Sequence, residues 1–233
     1  MSTEASTRIP GEHFRPIAAP VHTVLVLSLQ GLLAYLGKMR LDHLRGSITL
    51  DHVRVYERTI VSEWLVLGLV ASGVWLHRSS LTTIFGNRWR SARHFLTDMG
   101  VALVFLIVSI AVLSILGGHG KASDASTQFL LPHGRFESTL WILMSLTAGI
   151  CEEAVFRGYL QRQFMAFTKS AAIGIILSAV AFGAAHSYQG FRQAVQIGVL
   201  GAMLGALAWW RKTVRPGMIA HAAQDILAIF VRH

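Results

Sequence analysis

Apolar residues in this chain come in long unbroken runs, not in the half-and-half stripes of a soluble amphipathic helix. Read by run length, they predict about seven membrane-spanning helices, at about 20–36, 60–76, 99–116, 139–160, 171–188, 193–210 and 215–231. The runs are joined by short polar stretches. The segment 38–58 mixes Lys38, Arg40, Asp42, Arg45, Asp51, Arg54, Glu57 and Arg58 with Leu41, Leu44, Ile48, Val53 and Val55. It reads as a solvated loop or an interfacial helix. Residues 117–138, with Gly117, Gly118, Gly120, Ser123, Ser126, Pro132 and Gly134, read as the clearest loop. Strand signals are weak throughout, and no internal repeat is visible. The expectation is an all-α, polytopic membrane helical bundle over residues 19–233, preceded by a polar tail at 1–18. That tail does not read as a cleavable signal.

Composition sharpens this picture. Of 233 residues, 53% are hydrophobic and only 14% charged, against about 25% charged in soluble domains. The net charge of +9 would suggest nucleic acid in a soluble protein. Here the cations stand between apolar runs, so membrane anchoring and anionic headgroups account for them, and nucleic acid is not an expected partner. The basic residues divide almost evenly between the two sides; the tight loops 161–170 and 211–214 favour a cytoplasmic N-terminus. The single cysteine, Cys151, excludes an intrachain disulfide and reads as a small buried residue. The chain is expected to be an integral, multi-pass protein, in a bacterial cytoplasmic membrane.

Against that background the polar residues inside the runs stand out. The fourth run contains Glu152-Glu153-Ala154-Val155-Phe156-Arg157. An ionised group at the centre of a membrane helix costs roughly 2.5–3.5 kcal/mol, so three cost about 8–10 kcal/mol. Such a helix must face protein or a wet cavity. The fifth run ends Phe182-Gly183-Ala184-Ala185-His186, and the seventh contains His221-Ala222-Ala223-Gln224-Asp225. Positions i and i+4 share a helix face, so Glu153 pairs with Arg157, Phe182 with His186 and His221 with Asp225. Three spans thus offer polar faces to one interior, with an inventory suited to activating water.

Each of these residues also has a structural reading. A lone membrane histidine is more often a satisfied core residue than a ligand, and Glu153–Arg157 alone suits a structural ion pair. His22, His43, His52, His77, His94, His119, His133 and His233 lie at span ends or in loops and read as solvated. Glu63 and Asp98 stand in the first turn of their predicted spans, where a carboxylate complements the helix dipole. Glu152 and Glu153 are about 100° apart on a helix and are not expected to face the same point. In a simple up-and-down layout His186 and His221 differ in depth by roughly 13 Å. A shared site then requires tilted helices or a helix break near Ser187–Gly190. The sixth run carries Gly201-x-x-x-Gly205 and Gly198-x-x-x-Ala202-x-x-x-Ala206, small-residue spacings that let helices approach closely.

Glu152-Glu153-x-x-x-Arg157, then Phe182-x-x-x-His186, then His221-x-x-x-Asp225, in that order, resembles the CPBP family of intramembrane proteases. That family includes the type II CAAX prenyl endopeptidases. The resemblance covers a motif-bearing core at about 139–231. It implies hydrolysis of a peptide bond in a membrane-associated or lipidated protein. On this resemblance Glu152 is the base that activates water and His186 assists it or holds the oxyanion. Glu153 and Arg157 support, and His221 with Asp225 completes the polar cluster. Many members carry Asn where this chain has Asp225. The family is usually labelled metallo, and His186, His221 and Asp225 make a candidate zinc set. His-Glu-x-x-His is absent, and a metal-free Glu152–His186 pair is the alternative. Two other functions compete: a non-catalytic immunity or scaffold protein, and a proton-coupled transporter using Glu152 and Glu153.

Overall fold

The computed structural model describes residues 14–45, 51–86, 88–117 and 130–230. Residues 1–13 of the expected tail, 46–50 of the mixed-charge segment, 118–129 of the expected loop and 231–233 lie outside the described residues, and His119 and His233 with them. The side chains of 42–45, including His43, are likewise outside the description.

The described residues form helices α1 (Pro20–Arg45), α2 (His52–Leu76), the single turn α3 (Thr82–Phe85), α4 (Ala92–Gly117) and α5 (Gly134–Glu152). α5 runs directly into a π-helical stretch, Glu153–Leu160, and on into α6 (Gln161–Thr168). Then come α7 (Ala171–Ala185), a 3₁₀ turn at Ser187–Gln189, α8 (Phe191–Arg211) and α9 (Arg215–Leu227). No strand occurs among the described residues, so the all-α membrane bundle is observed as expected.

Among the described residues, five segments are long and apolar enough to cross a membrane: 20–41, 52–76, 92–117, 134–168 and 191–211. The other two expected spans are helical but shorter, α7 with 15 residues and α9 with 13. The 134–168 segment is the most buried of the five and 92–117 the least. The polar motif therefore lies on the central helix, while α4, nearly all apolar, lies at the edge.

Local chemistry sets the helix ends. Asp51 caps α2 by accepting from the backbone N–H of Arg54 at 3.1 Å. Ser170 does the same for α7 at Ile173, 3.3 Å away. α6 and α8 end at Lys169 and Lys212, both in the left-handed region (φ 55° and 57°), and Pro216 occupies the first turn of α9. Because Asp51 sets the start of α2, Glu63 lies in the middle of that helix and not in its first turn. Asp98 is likewise past the first turn of α4. It is buried and accepts from Trp89 Nε1 (2.8 Å) and Arg211 Nη2 (2.8 Å), joining the start of α4 to the end of α8.

Two histidines expected in solvent are in the structure instead. His22 places Nδ1 2.7 Å from the Tyr159 hydroxyl and Nε2 3.0 Å from the Leu69 carbonyl. It thereby ties α1 to α2 and to the π-helical stretch. His52 is buried beside Glu137 (3.1 Å). Both rings stand at helix starts, where neighbouring helices supply partners that the sequence does not disclose. The glycines of α8 face α7 and the central helix, whereas Ala206, in the same expected stripe, is exposed.

Candidate active site

The central segment changes helical register at the motif. α5 ends at Glu152, and from Glu153 the backbone opens into the wider π form, closed by the Gln161 N–H bonding to the Phe156 carbonyl. Such stretches are uncommon and often occur at functional sites. All eight residues, Glu153–Leu160, are buried.

Arg157 donates through Nη1 to Glu153 Oε1 at 2.8 Å, an ion pair almost wholly withdrawn from solvent. The pairing follows the expected i, i+4 spacing. The guanidinium also lies over the Phe182 ring, 4.1 Å from its centroid. Phe182 touches three more members of the cluster, with centroids 4.9 Å from Phe156, 4.7 Å from His186 and 6.0 Å from His221. Gly201 of α8 makes room: a Cβ there would stand 3.0 Å from Phe182 Cδ1 and 3.1 Å from Arg157 Nη2. The small-residue stripe is where α8 closes over this pair.

α7 stops at Ala185, and His186 caps its C-terminus. Gly190, at φ 115°, turns the chain into α8. The chain breaks here, within the Ser187–Gly190 stretch, one of the two alternatives for bringing His186 and His221 together. His186 Nδ1 donates to the Phe182 carbonyl at 2.9 Å, which leaves Nε2 facing Glu152 Oε1 at 3.7 Å. His221, on α9, donates from Nδ1 to Glu153 Oε1 at 3.0 Å. Its Nε2 lies 3.7 Å from Glu152 Oε2 and 3.6 Å from Asp225 Oδ2.

Glu152, Glu153, Arg157, His186, His221 and Asp225 therefore meet in one cluster. One expectation is corrected. Glu152 and Glu153 do converge, each on a different nitrogen of the His221 ring. An imidazole presents its two nitrogens in different directions, and one carboxylate reaches each.

A seventh group was missed. Glu63 of α2 is half-buried and interacts electrostatically with Glu152 and His221. Its position past the capped start of α2 is the signal that could have found it. Tyr188 stacks on His186 with centroids 6.0 Å apart. Cys151 is buried, as expected.

Two histidines and carboxylates are suitable donors for zinc. As the side chains stand, no group of three or more His, Cys, Asp or Glu among the described residues is arranged to hold a metal ion. Chemically, the cluster offers a buried carboxylate, Glu152, whose Oε2 has no hydrogen-bond partner, set between two imidazole nitrogens.

Comparison with known proteins gives one match. No curated protein and no solved structure matches the chain. Residues 135–227 match the family model described as "Type II CAAX prenyl endopeptidase Rce1-like". The matched segment contains all six motif residues and the helices that carry them. The match covers 93 of the chain's 233 residues, so this motif-bearing segment is similar to the CAAX-protease family.

Proposed function

We propose that the protein is an intramembrane endopeptidase that hydrolyses a peptide bond in a membrane-associated or lipidated protein, using water activated at Glu152. The observation that carries this reading is the placement of the Glu152 carboxylate 3.7 Å from Nε2 of both His186 and His221. Both spacings exceed a direct hydrogen bond and suit a bridging water. In each ring Nδ1 is committed to another acceptor, so Nε2 is the nitrogen turned to the chemistry.

The steps follow from those positions. Glu152 takes a proton from water as its oxygen bonds to the carbonyl carbon of the substrate. With Nδ1 already donating to the Phe182 carbonyl, His186 carries a proton at Nε2 only as an imidazolium, and in that form it stabilises the oxyanion. The C–N bond then breaks, and the proton taken from water goes to the departing amine nitrogen. Glu153 and Arg157 act as positioning residues, through His221. Because the donors do not form a metal set as they stand, no step is routed through an ion.

The deciding experiment uses purified protein in lipid with a membrane-anchored peptide substrate. Glu152→Gln keeps the shape and removes the base, and the rate is expected to fall about 10²–10⁴-fold with the melting temperature unchanged. Full activity in a folded Glu152→Gln protein overturns the assignment. Chelation is expected to leave the rate unchanged. Loss on chelation with recovery on adding zinc would replace the water-only mechanism by a metal-assisted one.

A further inference from the structure

Outside the catalytic cluster the molecule holds a basic cavity of about 120 Å³. Its lining includes Arg15, Arg157, Gln161, Arg162, Trp209 and Lys212, and no lining residue is acidic. Four cationic side chains converge from three parts of the chain: the segment before α1, the central helix and the end of α8. Arg157 and Gln161 lie one turn apart on the same helix face. Lys212 extends from a residue in the left-handed conformation and places Nζ 3.4 Å from the Trp209 ring centroid.

This charge is not spent within the described residues. No ion pair joins Arg15, Arg162 or Lys212 to a described carboxylate. Arg157 uses Nη1 for Glu153, but its Nε and Nη2 are buried without a hydrogen-bond partner. The unpaired cations that face the cavity are Arg15, Arg162 and Lys212, and an anion is the ligand that such a lining favours.

Position narrows the class of anion. The cavity lies where three spans end together: 20–41 begins at Pro20, 134–168 ends at Thr168 and 191–211 ends at Arg211. Such a level is the membrane–water interface, where basic residues and tryptophan meet lipid headgroups.

We infer that this cavity binds a phosphate group carried by an anionic phospholipid headgroup. Arg162, Lys212 and Arg15 supply the charge, and Trp209 the interfacial wall. The inference does not depend on the proposed peptidase activity, because its test reads binding alone.

The test is native mass spectrometry of the full-length protein titrated with phosphatidylglycerol or phosphatidylcholine of matched chains. Phosphatidylglycerol is expected to be retained at least about tenfold more tightly. Arg162→Gln with Lys212→Gln should weaken phosphatidylglycerol about thirtyfold and leave phosphatidylcholine unchanged. If that pair does not fold, Arg15→Gln with Lys212→Gln removes two exposed cations instead, with the same expectation. Arg90→Gln with Arg93→Gln removes equal charge elsewhere and should change little. Equal retention of the two lipids, or an equal loss in the Arg90/Arg93 variant, overturns the site. Two competitors test the source of the anion. Displacement by millimolar inorganic phosphate would make free phosphate the ligand, and displacement by a peptide with a free C-terminal carboxylate would make it the substrate. Either result overturns the lipid assignment.

Discussion

His221 is held at the Nδ1 end of its ring. Glu153 accepts from Nδ1 at 3.0 Å and is itself fixed by Arg157 at 2.8 Å. With its acceptor pinned in this way, the proton of a neutral His221 sits on Nδ1, and Nε2 keeps its lone pair toward Glu152. Glu153→Gln replaces an obligate acceptor by a group that can also donate, which admits the other tautomer. We expect this variant to lose rate with little change in KM, measured on the same substrate as Glu152→Gln, and to lose stability too, because the buried Arg157 guanidinium loses its counter-charge. Arg157→Ala is a different case. It strands the buried Glu153 carboxylate and removes the guanidinium from over Phe182. A cost of about 3–5 kcal/mol in unfolding free energy is expected, along with loss of activity. A variant that keeps both stability and activity would show that the ion pair is dispensable.

At the scale of elements, the site depends on two departures from straight α-helix. One is the π-helical stretch Glu153–Leu160; the other is the end of α7 at His186, followed by Gly190 at φ 115°. Gly190→Ala is expected to cost about 1–3 kcal/mol, because few side chains tolerate that backbone conformation. Activity should fall with it, as His186 shifts relative to Glu152. The i, i+4 pairs were legible because helical spacing fixes them, whereas two histidines at different depths left a break after α7 and a tilt of the helices equally open. The π-helical stretch was not legible, since residues 153–160 carry no Pro, their one Gly158 does not specify a change of helical type, and tertiary packing decides the register. Glu63 was missed for a different reason. The apolar run begins well after Asp51, so run length alone starts α2 too late and turns a mid-helix carboxylate into a first-turn one. Metal use was equally unreadable, because donor types recur in both chemistries and spacing along separate helices does not fix their convergence.

At the scale of the whole molecule, the helices bearing His186 and His221 are the short ones. α7 has 15 residues and α9 has 13, or roughly 22 Å and 20 Å of helix, against a hydrocarbon core about 30 Å thick. The long spans 52–76 and 92–117 match an ordinary bilayer, so the mismatch is confined to the side of the molecule that holds the histidines. Where these short helices meet lipid, the bilayer is expected to thin, which would bring headgroups and water nearer the residues that need water as a reactant. Each ångström of forced thinning costs a fraction of a kcal/mol. The protein should therefore respond to acyl-chain length as well as to headgroup. In nanodiscs of otherwise identical lipids, turnover is expected to be faster with 14-carbon chains than with 22-carbon chains. The membrane's thickness would then set the hydration of the site, making the bilayer itself a control on the rate.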